Sequence, residues 1–210
     1  MSVVWCWLMG ASSQPMRGTP VPAMSPPVPT ELDGLIEYIA QQQDAFRIVA
    51  FGLTDEQARL TPTVGTLSVG GLIKHVTNMQ GGWTDMIVAA PSPGPDRQRG
   101  ADEFTLREDE TLAEALAAFT AQSDATLAAI KEKGLDTAVP VPRSAPWFPR
   151  DIDAWNVRWV ALHVIEELAR HAGHADIVRE SIDGATMYEL LAAAEGWEPT
   201  DWLKPWTPKG

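Results

Sequence analysis

The chain has 210 residues, 45% hydrophobic and 21% charged, with a formal net charge of -12 and a pI near 4.7. This is the balance of a globular protein with a sizeable core. The acidic charge argues against a nucleic-acid partner, whose phosphates it would repel, and no apolar run reaches the roughly 18 residues that span a bilayer. Cys6 is the only cysteine, which excludes an intrachain disulfide and a thiolate zinc site.

The first stretch, "MSVVWCWLMGASSQPMRGTPVPAMSPPVPT", differs from the rest. Its apolar opening lacks the basic region of a signal peptide, and the Pro, Ser and Gly that follow favour a disordered tail over residues 1–29. Met16 and Met24 are in-frame alternatives to Met1, and translation is expected to start at Met24. Residues 30–210 are expected to form the working domain.

Four long helical patterns follow. The first starts at Thr30, an N-cap with Asp33 three residues on, and carries Leu32, Leu35, Ile36, Ile39, Phe46 and Val49 at helical spacing. "LTDEQARLTP" (Leu53–Pro62) reads as a turn or a single helical turn. The second helix runs from about Ser68 to Ala90, with Leu72, Val76, Met79, Trp83 and Ile87 as its apolar stripe. His75 falls inside that stripe. "PSPGPDRQRG" (Pro91–Gly100) then breaks the chain.

The third helix opens at Thr111, where Glu114 completes a capping box, and stops at Gly134. A long crossover, "LDTAVPVPRSAPWFPRDI" (Leu135–Ile152), precedes the fourth helix, expected from about Asp153 to Ser181. Connections this long serve a site or cover a core. A short helix, Thr186–Glu195, and a Trp/Pro-rich tail finish the chain. No strand is evident. The fold class is all-α, a four-helix bundle.

The fourth helix holds "HVIEELARHAGHADIVRE" (His163–Glu180), with three of the four histidines. At about 100° per residue, His163, Glu167, His171 and His174 share one arc of roughly 80° bordering an apolar side. Glu167 and His171 are four residues apart, so their side chains reach a common point from neighbouring turns. A catalytic zinc site takes three protein ligands and leaves one position open, and histidine with carboxylate suits Zn, Ni, Fe or Mn. The third ligand has to come from another helix, where His75 is the one histidine left. Hydrogen-bonded core histidines are the competing reading of the pattern. The zincin motif HExxH is absent, because Val164 follows His163.

"GTLSVGGLIKHVTNMQGGW" (Gly65–Trp83) and "NVRWVALHVIEELARHAGHADIVRE" (Asn156–Glu180) resemble the DinB-like four-helix-bundle superfamily. The nearest resemblance is to an actinobacterial branch related to mycothiol-dependent maleylpyruvate isomerase, and it covers about Thr30 to the C-terminus. The resemblance implies a metal triad of His75, Glu167 and His171. It makes His163 and His174 candidates for groups that orient Glu167 or touch substrate, and Trp83 a core residue or a wall of the cofactor pocket. Arg170 and Glu166 read as surface ion-pair residues.

Relatives use low-molecular-weight thiols such as mycothiol. A metal- and thiol-dependent S-transferase or isomerase is therefore expected, cytoplasmic, acting on a small-molecule electrophile and forming a homodimer as related bundles do. The alternatives are a metal-dependent hydrolase, or a non-enzymatic bundle that a metal stabilises or that binds a ligand. A fourth ligand from His174 would favour a structural metal.

Overall fold

The computed structural model describes residues 24–95, 100, 102–144 and 146–208. Cys6, Met16 and most of the expected tail lie outside the described residues, and Met24 is exposed. The elements in chain order are α1 (Glu31–Val49), α2 (Asp55–Arg59), α3 (Val69–Ala89), α4 (Leu112–Lys133), β1 (Ala138–Pro140), β2 (Ala154–Asn156), α5 (Val157–Asp183) and α6 (Met187–Glu195). The four long helices α1, α3, α4 and α5 form the DinB-like all-α bundle.

Local signals set the helix ends. The hydroxyl oxygens of Thr30, Ser68 and Thr111 accept from the N–H groups of Asp33, Gly71 and Glu114, and Glu114 closes the capping box on Thr111. α4 stops at Gly134 and α5 at Gly184. Between these ends, apolar stripes meet in one core. Phe46, Leu72, Ile73, Phe119, Ile130 and Leu168 are fully buried in it, each stabilising the fold by about 1.5–3 kcal/mol relative to exposure. α3 packs on both α4 and α5, and α1 on α5. Among the described residues no helix is long and apolar enough to cross a membrane.

The crossover departs from the sequence reading. Residues 138–140 pair antiparallel with 154–156, Val139 opposite Trp155, in a two-stranded patch. Three-residue strands are too short to show a two-residue period, and Pro140 lies at the end of its strand. This pairing also delays the fourth helix. Ala154–Asn156 are extended, and Asn156, not Asp153, caps α5 by accepting from the N–H of Trp159.

One close approach positions the site. The segment after the chain break folds back over α3 at Gly70 and Gly71. A Cβ on Gly71 would lie 2.0 Å from the Phe104 carbonyl oxygen, and one on Gly70 would lie 2.6 Å from Leu106 Cδ2. Lys74 fastens the same segment from the helix side. Its ammonium donates to the Thr105 carbonyl at 3.1 Å, to Asp102 at 3.1 Å and to Glu110 at 2.9 Å. Arg107 and Lys74 together hold the Asp102 carboxyl down at about 2.

Gly71→Ala should therefore destabilise the protein by about 1–3 kcal/mol, because the clash is with backbone. In Gly82→Ala, on the same helix, the new Cβ meets nothing within 4 Å. That change should stabilise by roughly 0.5–1 kcal/mol. Urea unfolding of the two variants beside the parent checks the contrast.

Candidate metal centre

His75 sits on the buried side of α3, 3% exposed. Two residues of the folded-back segment fix its ring. Nδ1 lies 3.1 Å from Glu103 Oε1, and the Phe104 ring stacks on the imidazole at 3.9 Å with the planes 18° apart. The carboxylate can only accept, so Nδ1 carries the proton and Nε2 presents a lone pair. That lone pair faces α5, where His171 Nε2 stands 3.1 Å away. His171 Nε2 is in turn 3.4 Å from Glu167 Oε2.

One donor atom from each of His75, Glu167 and His171 lies within 4.8 Å of the other two. The helix faces thus bring together the three residues singled out in the sequence. Burial pushes the His171 imidazole below its usual pKa, and His75 acts in the same direction against the opposing pull of Glu167. A neutral ring is the form that ligates.

The donor set and its spacing fit a divalent cation. Bonds of about 2.0–2.1 Å in a tetrahedron imply donor separations of about 3.3–3.4 Å. The two separations along the chain of donors are 3.1 and 3.4 Å. Two imidazoles and a carboxylate are a recognised catalytic-zinc set. Without a cation His171 donates its Nε2 proton to the bare His75 nitrogen, and its own Nδ1 is buried with no hydrogen-bond partner among the described residues.

His163 stands one turn before Glu167. Its Nε2 is 3.5 Å from Glu167 Oε1 and its Nδ1 3.2 Å from Glu166 Oε2. Glu166 also pairs with Arg170 at 3.7 Å along the exposed side. His174 is exposed, with its ring centroid 5.6 Å from that of His171, and it is outside the three-donor group. Trp83 is both core and wall. It is 8% exposed, packs edge-on against Trp155, Trp159 and His163, and lines a cavity of 1490 Å³. Glu103 and Glu167 line the same cavity.

Glu103 and Phe104 are site residues that the sequence reading misses. They lie in a connection, and only tertiary packing brings them to His75. The pair Gly70–Gly71 was the available signal, since adjacent glycines in a helix admit a close neighbour. Trp155 and Trp159 were missed for another reason. They continue the four-residue spacing of His163, Glu167 and His171 backwards, so five residues share one row, four of them on consecutive turns of α5 and Trp155 in the extended residues just before it.

The model of the family described as mycothiol S-transferase matches residues 34–184. The chain belongs to that family. The matched span contains all three donors, Glu103 and the whole five-residue ridge, and ends before α6. No curated protein matches the chain. Among solved structures, a conserved protein from Enterococcus faecalis is similar at a TM-score of 0.49 and 19% identity, over 75% of this chain and 100% of that one.

A cation held by these donors would depend on Glu103. Glu103→Ala frees the His75 ring to turn and to change tautomer, and should weaken zinc binding by about 10–100-fold. Glu103→Gln retains an acceptor oxygen and should lose less. Competition with a chromophoric chelator measures both.

Proposed function

We propose that this chain is a metal-dependent S-transferase that joins a low-molecular-weight thiol, mycothiol, to a small-molecule electrophile. His75, Glu167 and His171 are the metal ligands. The observation that carries the reading is that donors from α3 and α5 converge beside a large cavity, with Glu167 belonging both to the donor group and to the cavity wall.

A divalent cation held there supplies positive charge that favours the thiolate form of an incoming sulfur. Zinc suits the donor set best. The chain's own residues do the rest. Glu103 and Phe104 hold His75 in one orientation and one tautomer. Burial keeps His171 neutral. His163, on the cavity wall beside Glu167, is placed to take the thiol proton and pass it to solvent. The sulfur electron pair then forms the new S–C bond while the leaving group departs with the pair of the bond it loses. In an addition reaction no group leaves: the new S–C bond forms as the acceptor's C=C π bond breaks, and its electron pair moves into the conjugated system and takes a proton.

An external thiol is compatible with the sequence, because the span matched by the family contains no cysteine and Cys6 lies outside it. A reducing, cytoplasmic setting goes with this role, since free thiols persist there. A purely structural metal calls for four protein donors; the group here has three, and exposed His174 is not among them. Hydrolysis is the competing use of the same centre, and the thiol decides between the two.

Calorimetric titration of the zinc-loaded protein with mycothiol should show saturable binding. His171→Ala should lose the metal, read by elemental analysis, and with it the thiol heat. Absence of heat at millimolar mycothiol would overturn the thiol role. Retention of one zinc per chain by His171→Ala would overturn the ligand assignment.

A further inference from the structure

The cavity's walls bear on what the thiol meets. Trp155 at the end of the crossover and Trp159 and His163 on the first turns of α5 form a run of rings. Trp155 stacks on Trp159 at 4.6 Å with planes 6° apart, and Trp159 on His163 at 5.2 Å and 14°. Trp83 and Phe148 pack edge-on against this run, and Trp147 extends it from the crossover. Two of these rings keep open surface facing the cavity: Trp159 is 39% exposed and Trp147 70%. Leu162 and Ile152, also exposed, flank them on the same cavity wall.

The charge of the described wall favours an uncharged ligand over an anionic one. Among the described lining residues the one permanent cation is Arg158, and it is already committed. Its guanidinium pairs with Glu31 at 2.6 Å and with Asp136 at 2.7 Å. The other charged lining groups are carboxylates, Glu103 and Glu167. A small dianion would meet these carboxylates, and among the described lining residues it would find no free permanent counter-charge apart from a cation held at the donor group. A flat, uncharged ring would cover indole faces that otherwise stand in water.

We propose that the second substrate is an uncharged, planar aromatic electrophile, seated against the open faces of Trp159 and Trp147 with its reactive carbon toward Glu167. Its status as an electrophile rests on the S-transfer reading; its binding does not. The cavity exceeds the about 300–1,000 Å³ of an ordinary ligand cleft, which leaves room for thiol and aromatic together. The ridge sets their order, with the aromatic rings at one end and the donor group at the other.

The test is binding without chemistry. The full chain, metal-free and zinc-loaded, is titrated with 1,3-dinitrobenzene, a planar uncharged ring with no leaving group, and separately with maleate, an aliphatic dianion. Calorimetry or ligand-observed NMR reads both, with no thiol present. Dinitrobenzene should bind both forms, and Trp159→Ala and Trp147→Ala should each weaken it about tenfold. Trp147 is the more exposed of the two, so its variant carries the test if Trp159→Ala fails to fold.

Maleate binding more tightly than dinitrobenzene would overturn the proposal, and so would unchanged affinity in the folded variants. If Trp159→Ala instead alters the mass in light scattering while leaving affinity intact, the face belongs to a second copy and the proposal falls. Dinitrobenzene binding that persists in a protein unable to bind mycothiol would overturn the thiol reading alone.

Discussion

Two ring nitrogens facing each other at 3.1 Å, His75 Nε2 on α3 and His171 Nε2 on α5, are the contact around which this protein is arranged. Imidazoles meeting at such a distance inside a bundle need something between them, a shared proton or a cation. Burying them otherwise would strand polar atoms in the core. Much of the local structure keeps the pair in place. The 102–110 segment presses on α3 from outside, pinned by Lys74 and admitted by Gly71, and delivers Glu103 and Phe104 to opposite parts of one ring. The His75 side is thereby rigid and chemically defined. The His171 side is held by its own helix, with Glu167 one turn away, and by burial.

The length of α5 links this contact to the cavity. A helix of 27 residues is about 40 Å long, enough to present several consecutive turns along one ridge. Residues four apart drift about 40° around the axis at each step. The row from Trp159 through His163 and Glu167 to His171 therefore winds along the cavity wall to the donor group. Trp155 extends the row just beyond the helix start, where β2 holds it opposite Val139. This gives the crossover a purpose. Its short strand pair sets where α5 begins and brings Trp147 and Phe148 over the aromatic wall.

How far the sequence reveals this depends on the range of the signal. Helix ends were legible where capping is local: Thr30, Ser68, Thr111 with Glu114, and Gly134 each act within a few residues. The convergence of His75 with Glu167 and His171 was legible because periodicity put all three on inward arcs and the composition left one histidine to join them. Glu103 was not. It sits in a connection with no periodicity, and its partner is fixed by a tertiary approach that two glycines permit without specifying. The strand pair was hidden by its brevity. The tryptophan part of the ridge lay open to the same four-residue count, which there passes from helix into an extended residue at Trp155.

The missing thiol and the size of the cavity point the same way. An enzyme that used its own cysteine would need space for one small molecule beside that residue. Here the matched span has no cysteine, and the cavity of 1490 Å³ is far larger than one small electrophile requires. Under the proposed S-transfer two separate molecules would have to be brought into line, and the barrier to their meeting would be largely one of orientation. A rigid donor group at one end and stacked indoles at the other would each fix one partner. The stiffness of the single helix between them holds the spacing. In the proposed reaction α5 would serve as a ruler as well as a source of side chains.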